Sequence, residues 1–163
     1  MPLSKILTSS LSTGVGGKLL SHKITQITAN STRSSATSYA DDLDFGSFTP
    51  SSSSSIVLIS GVANFDSGTN TYTYYKWIVD GSDFLSTTGS TPTATHIFYN
   101  STSMNNNSYM PSTIFTSITN SDGSAIPVKC QGKTSSGSLT INQSAANSQS
   151  GSPSTVIWLE IAN

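Results

Sequence analysis

The chain has 163 residues, a mass of 17.0 kDa and a formal charge of −1, and only 9% of its residues are charged. That is far below the roughly 25% of an average soluble protein, whereas Ser and Thr together supply about a third of the sequence. So little charge leaves no basic patch for a phosphate backbone, no polybasic segment for anionic lipid and no field for long-range steering, which argues against nucleic acid and membrane surfaces as partners.

Six Tyr, six Phe and two Trp spread along a weakly charged chain are not the composition of a disordered protein, which pairs low hydrophobicity with high net charge. β-Branched and aromatic clusters separated by Ser, Gly, Asn and Asp read as all-β with many turns, in one domain. The single Cys130 excludes an intramolecular disulfide. No run approaches the roughly 18 apolar residues of a transmembrane helix, and Ser and Thr interrupt residues 1–20 too often for a signal peptide to be expected.

Residues 1–21 contain Gly14, Gly16 and Gly17 and no sustained periodicity, which predicts an extended N-terminal arm of the kind that finds its partner on another subunit. Residues 22–163 are expected to form one antiparallel β-sandwich, because short apolar or alternating runs recur about every ten residues between turn clusters. The expected strands are His22–Thr28, Ser38–Leu43, Ser55–Phe65, Thr71–Val79, Thr95–Asn100, Thr113–Ile118, Ala125–Gln131, Ser138–Ile141 and Ser154–Ile161.

Thr71–Val79 (TYTYYKWIV) carries bulk on both faces and is expected to be covered on both sides. In Ser154–Ile161 (STVIWLEI) the set Thr155, Ile157, Leu159 and Ile161 is expected inward, opposite Val156, Trp158 and Glu160. Ser67-Gly68, Asp80-Gly81, Asp122-Gly123 and Ser136-Gly137 are turn dipeptides. Ser101–Ser112 and Asn142–Pro153 are expected as longer polar loops.

Residues able to carry chemistry are few. Asp41, Asp42 and Asp44 invite a cation, but their spacing lacks the alternating oxygen ligands and terminal Glu of a calcium loop, so they read as a solvated strand end or turn. Cys130 reads as a buried thiol acting as a small apolar residue, and His22 and His96 as surface or edge residues. No G-x-S-x-G elbow is present. The acceptor patterns at Asn30, Asn100, Asn106 and Asn142 are what this composition produces by chance. No catalytic, cofactor or metal-binding residue is assigned. Tyr72, Tyr74, Tyr75, Trp77, Tyr99 and Tyr109 are the candidate site: an aromatic platform able to stack on sugar rings, with Asn105–Asn107 supplying hydrogen bonds, or else core and interface aromatics.

One stretch has a recognisable cadence. In TRSSATSYADDLDFGSFTPSSSSSIVLISGVANF (residues 32–65) a Ser-Tyr pair and a short acidic strand lead to FTPSSSSS and then to a buried strand. Pro50 stops what precedes it, the serines cross from one sheet to the next, and Ile56–Ile59 enters the core. This resembles the jelly-roll β-sandwich domains of tailed-bacteriophage virion proteins, whose "TSY…D…L…ITPSS…SKILV" pattern precedes the first long core strand. The ending STVIWLEIA is similar to the closing strand of the same domains. Two departures stand out: Ser55 replaces the usual basic residue, and the usual Arg-rich central strand is Tyr/Trp-rich here.

The resemblance implies a non-enzymatic homotrimer on the outer surface of a virion, made in the bacterial host's cytoplasm and needing no cofactor. The role expected from it is capsid decoration (cement), bound to the major capsid protein or other virion proteins. The alternative is a tail-fibre or baseplate tip that binds a host surface glycan.

Overall fold

The computed structural model describes residues 18–68, 70–84, 94–100, 110–119, 121–143 and 152–163. These form eleven strands: β1 (Leu19–Ile27), β2 (Ser31–Arg33), β3 (Ala40–Phe48), β4 (Ile56–Ser67), β5 (Thr71–Val79), β6 (Ser82–Asp83), β7 (His96–Asn100), β8 (Met110–Thr119), β9 (Ile126–Thr134), β10 (Leu139–Ile141) and β11 (Ser154–Ile161). Every described pairing is antiparallel.

The first sheet runs β1-β11-β4-β8, with β10 and β2 continuing the lines of β11 and β1 beside the far end of β4. The second runs β3-β9-β5-β7, with the short β6 also pairing β5. Setting aside β2, β6 and β10 and renumbering the other strands along the chain, the sheets read 1-8-3-6 and 2-7-4-5. That order is the double Greek key of a jelly roll. The chain is therefore an all-β antiparallel sandwich, as its turn spacing indicates.

The core lies between the sheets. Trp77, Trp158, Tyr75, Phe45, Phe65, Leu43 and Ile59 are its largest apolar members, with Phe45 stacked on Trp77 at 5.8 Å and Phe65 on Tyr75 at 4.9 Å. At Gly132 an added Cβ would stand 2.5 Å from Leu139 Cδ2 and 2.6 Å from Phe65 Cε2, so any side chain at this strand position would force both neighbours to move. Asp80 and Gly81 both take positive φ, 51° and 73°, the pairing of a type I′ hairpin that matches the strand twist.

The structure corrects several expectations. β1 begins at Leu19 and pairs with Ile161, so residues 19–21, expected in the arm, belong to the sheet; residues 1–17 lie outside the described residues. β2 and β6 are too short to leave a periodic signal.

The larger correction is at β11, where Val156, Trp158 and Glu160 face the core while Thr155, Ile157, Leu159 and Ile161 face outward. Glu160 is fully buried because the chain brings it donors. The Ser51 and Ser52 amides reach its Oε1 at 2.9 and 3.0 Å, and the Ser51 and Ser21 hydroxyls reach Oε2 at 2.9 and 2.5 Å. Burial raises its pKa, but the Ser21 hydroxyl and the Ser51 amide and hydroxyl outweigh that and bring it down to about 2. The serine run thus crosses from the second sheet to the first, as expected, and on the way it solvates a buried carboxylate.

A second polar cluster closes the gap between β10 and β11. Asn142 donates to the Ile27 and Ala29 carbonyls. Ser154 Oγ bonds to Asn142 Oδ1 at 2.6 Å and accepts the Asn64 amide at 2.9 Å. Asn142 and Asn100 are both buried, so two of the acceptor patterns for glycosylation are inaccessible.

Candidate functional site

With both inner faces consumed by the core, function falls to the outward faces, and these differ in kind. On the first sheet they come from alternate residues: Leu20, His22, Ile24 and Gln26 on β1; Thr155, Ile157, Leu159 and Ile161 on β11; Ile56, Leu58, Ser60 and Val62 on β4; Thr113, Phe115 and Ser117 on β8. The register aligns Ile24, Ile157, Ser60 and Phe115 in one row, and His22, Leu159, Leu58 and Ser117 in the next. Among the described residues, none of these outward positions of β1, β11, β4 and β8 is Lys, Arg, Asp or Glu. Phe115 is 73% exposed and Ile24 61%, and Phe115 borders a shallow depression shared with Val62, Thr113, Thr155 and Ile157.

The outward face of the second sheet carries rings and charges. Tyr72 and Tyr99 are cross-strand partners on β5 and β7, 45% and 46% exposed, with ring centroids 4.7 Å apart. Tyr74 follows at 6.2 Å from Tyr72. Lys133 on β9 is the cross-strand partner of Tyr74, and its Nζ lies 4.9 Å from that ring and 5.0 Å from Tyr39. Burial, with Tyr74 and Asp83 nearby, pushes the Tyr39 phenol up to about 12. Further along the face the cations are neutralised: Lys76 meets Asp83 at 2.8 Å, and Lys129 meets Asp41 at 2.7 Å and Asp44 at 3.4 Å.

The candidate aromatics therefore divide. Tyr72, Tyr74 and Tyr99 share the outer face. Tyr75 and Trp77 alternate inward and are fully buried, Tyr75 bonded to the Phe65 amide and carbonyl, and Trp77 Nε1 to Ser112 Oγ at 2.8 Å. Tyr109 and Asn105–Asn107 lie outside the described residues. Tyr39, Ile97 and Lys133 complete the outer cluster; the Lys133–Tyr74 pairing needed strand register that sequence alone does not supply.

The acidic triplet is not a strand end or turn, since it lies within β3. The Asp42 side chain is almost covered, in a part-buried two-point pair with Arg33 at 2.8 and 2.9 Å. Asp41 and Asp44 hold Lys129 and the Gly46 amide, and no group of three metal-ligating side chains occurs among the described residues. Cys130 is buried, and burial pushes its thiol well above its usual range. His22 is exposed. His96, on β7, contacts Ser112 Oγ at 2.6 Å, and desolvation lowers its pKa. That hydroxyl is buried and already engaged by Trp77, and no carboxylate contacts His96 among the described residues.

No family model matches the chain, and no curated protein matches it in sequence. Among solved structures it is similar to the VP2 subviral particle of infectious bursal disease virus, at 13% identity and a TM-score of 0.34. That match covers 90% of this chain and 39% of the other, so the chain spans well under half the length of the protein it resembles.

Proposed function

We propose that this chain is a non-enzymatic structural protein of a tailed-bacteriophage virion, a homotrimeric decoration protein on the outer surface of the capsid. The observation that carries the assembly part is the uncharged outer face of the β1-β11-β4-β8 sheet. Four strands at about 4.8 Å spacing and some eight residues at about 3.3 Å give a face of about 500 Å². That is at the upper end of what monomers expose, and about a three-fold axis this face of one subunit would meet a different surface of the next, a heterologous contact of roughly 1,000 Å² counting both sides. Phe115 and Ile24 would be its anchors, with neighbouring subunits as the covering surface. The virion part rests on the resemblance of residues 37–59 and 154–162, and the jelly-roll topology is compatible with it, since capsid domains are among the proteins built that way.

The test is sedimentation of wild type beside Ile24→Lys/Phe115→Lys. Wild type should run as a trimer and the double variant as a monomer with an unchanged β spectrum. A wild-type monomer at micromolar concentration, or a trimeric variant, would refute the assembly reading. Labelling of virions tests location: antibody should decorate the capsid in many copies.

A second reading, a tail-fibre or baseplate tip that binds host carbohydrate, is favoured by the exposed Tyr72 and Tyr99 with the half-buried Tyr74 beside them. It predicts few copies per particle, at one end of the tail.

A further inference from the structure

We infer that the outer face of the second sheet, at Tyr72, Tyr74, Tyr99 and Lys133, is a binding site for an acidic saccharide. The inference takes the carbohydrate reading further by naming the ligand class, and it does not depend on how the first sheet assembles.

Three observations converge on it. Tyr72 and Tyr99 form an exposed ring pair, open to solvent, where the apolar C–H face of a sugar can lie. The hydroxyls of Tyr72 and Tyr74 make no hydrogen bond among the described residues, and Tyr99 donates to Asn70 Oδ1 at 3.3 Å; a row of rings with polar tips suits an amphipathic ring rather than a greasy one.

The third observation is charge. Arg33, Lys76 and Lys129 each have a carboxylate partner, whereas Lys133 has none among the described residues and sits against two ring faces. Cation–π contact holds its ammonium in place without neutralising it. It stands one same-face row from the Tyr72–Tyr99 pair, about 7 Å along the strand, within the span of a sugar and its exocyclic carboxylate. An uncompensated cation beside a stacking surface selects an anionic ring over a neutral one.

Calorimetric titration with trigalacturonic acid and with sialyllactose, each beside its neutral counterpart (the methyl-esterified trimer and lactose), tests the inference. Wild type should bind at least one acidic probe about tenfold more tightly than its neutral counterpart, with affinity falling as salt rises. Lys133→Gln should abolish that preference. Tyr72→Ala/Tyr99→Ala should weaken binding of both forms about tenfold or more, at unchanged sedimentation. No binding of either acidic probe overturns the inference, as does an undiminished preference in Lys133→Gln. Equal binding of acidic and neutral forms overturns it while leaving carbohydrate recognition standing. A change of oligomeric state in the tyrosine variant overturns it in favour of a subunit contact on this face.

Discussion

Glu160→Gln tests the most unusual interaction in the fold, a buried carboxylate held by a serine tract. The side chain accepts two backbone amides on one oxygen and two hydroxyls on the other. Gln keeps the shape and one acceptor oxygen. It loses the charge that strengthens all four bonds, and its amide group forces the Ser21 and Ser51 hydroxyls to turn round.

The carboxyl titrates at about 2 in the folded chain against an ordinary 4.5. At about 1.4 kcal/mol per pH unit, that difference amounts to about 3 kcal/mol of stability. Because the folded value is the lower one, this stability is fully present above about pH 5. It declines as the pH falls through the interval between the two values and is gone below about pH 2.

Urea unfolding followed by tryptophan fluorescence, at one fixed protein concentration, should show Glu160→Gln less stable than wild type by about 2–3 kcal/mol at pH 7. The gap should close toward zero by about pH 2, where wild type is itself half-protonated at this site and nearly all of the linkage contribution is lost. A gap that stays constant from pH 7 to pH 2, or one below about 0.5 kcal/mol at pH 7, would refute the reasoning.

Trp77→Phe should cost about 1–2 kcal/mol more than Trp158→Phe in the same assay, since both rings are fully buried but only Trp77 Nε1 has a hydrogen-bond partner among the described residues. Equal losses would show that the Ser112 bond contributes nothing net. Gly132→Ala should lower stability by about 3 kcal/mol or more, read as a thermal shift, because Leu139 and the Phe65 ring must both move. Cys130 should resist iodoacetamide at pH 8 in the folded protein and react at once in denaturant, since the thiol is buried and held protonated; rapid native alkylation counts against the described core.

The nine strands expected from the sequence all exist, because each is a run of alternating or apolar residues fenced by turn chemistry, and both properties are local. What escaped was set by partners distant in the chain. Thr155, Ile157, Leu159 and Ile161 form the more apolar face of β11, and hydrophobicity alone sends them inward. The structure sends Glu160 inward instead, because residues more than a hundred positions away solvate it. Asp42 is legible as an acid but not as half of a part-buried pair with Arg33. In β5 the alternation that separates Tyr72 and Tyr74 from Tyr75 and Trp77 was visible. With bulk on both faces, the pattern could not say which pair the core would take.

The inversion of β11 has a consequence for the whole surface. Had Ile157, Leu159 and Ile161 faced the core, the first sheet would have shown Trp158 and Glu160 outside, and its outer face would carry a charge. With Glu160 taken in, the described outward positions of β1, β11, β4 and β8 carry none, while the second sheet's outer face carries Lys76, Lys129, Lys133, Asp41, Asp44 and Asp83. Desolvating the uncharged sheet against another protein costs only hydroxyls, one imidazole and one carboxamide, whereas covering the second would bury ions at a penalty of several kcal/mol each. The fold thus divides its two broad surfaces between one suited to permanent burial and one suited to reversible contact with a polar ligand. Reversing that division tests it. Ser60→Glu, in the middle of the apolar row beside Phe115, should abolish self-association in sedimentation and leave saccharide titrations untouched. Lys133→Gln should do the opposite, and a variant of either kind that altered both readouts would break the division.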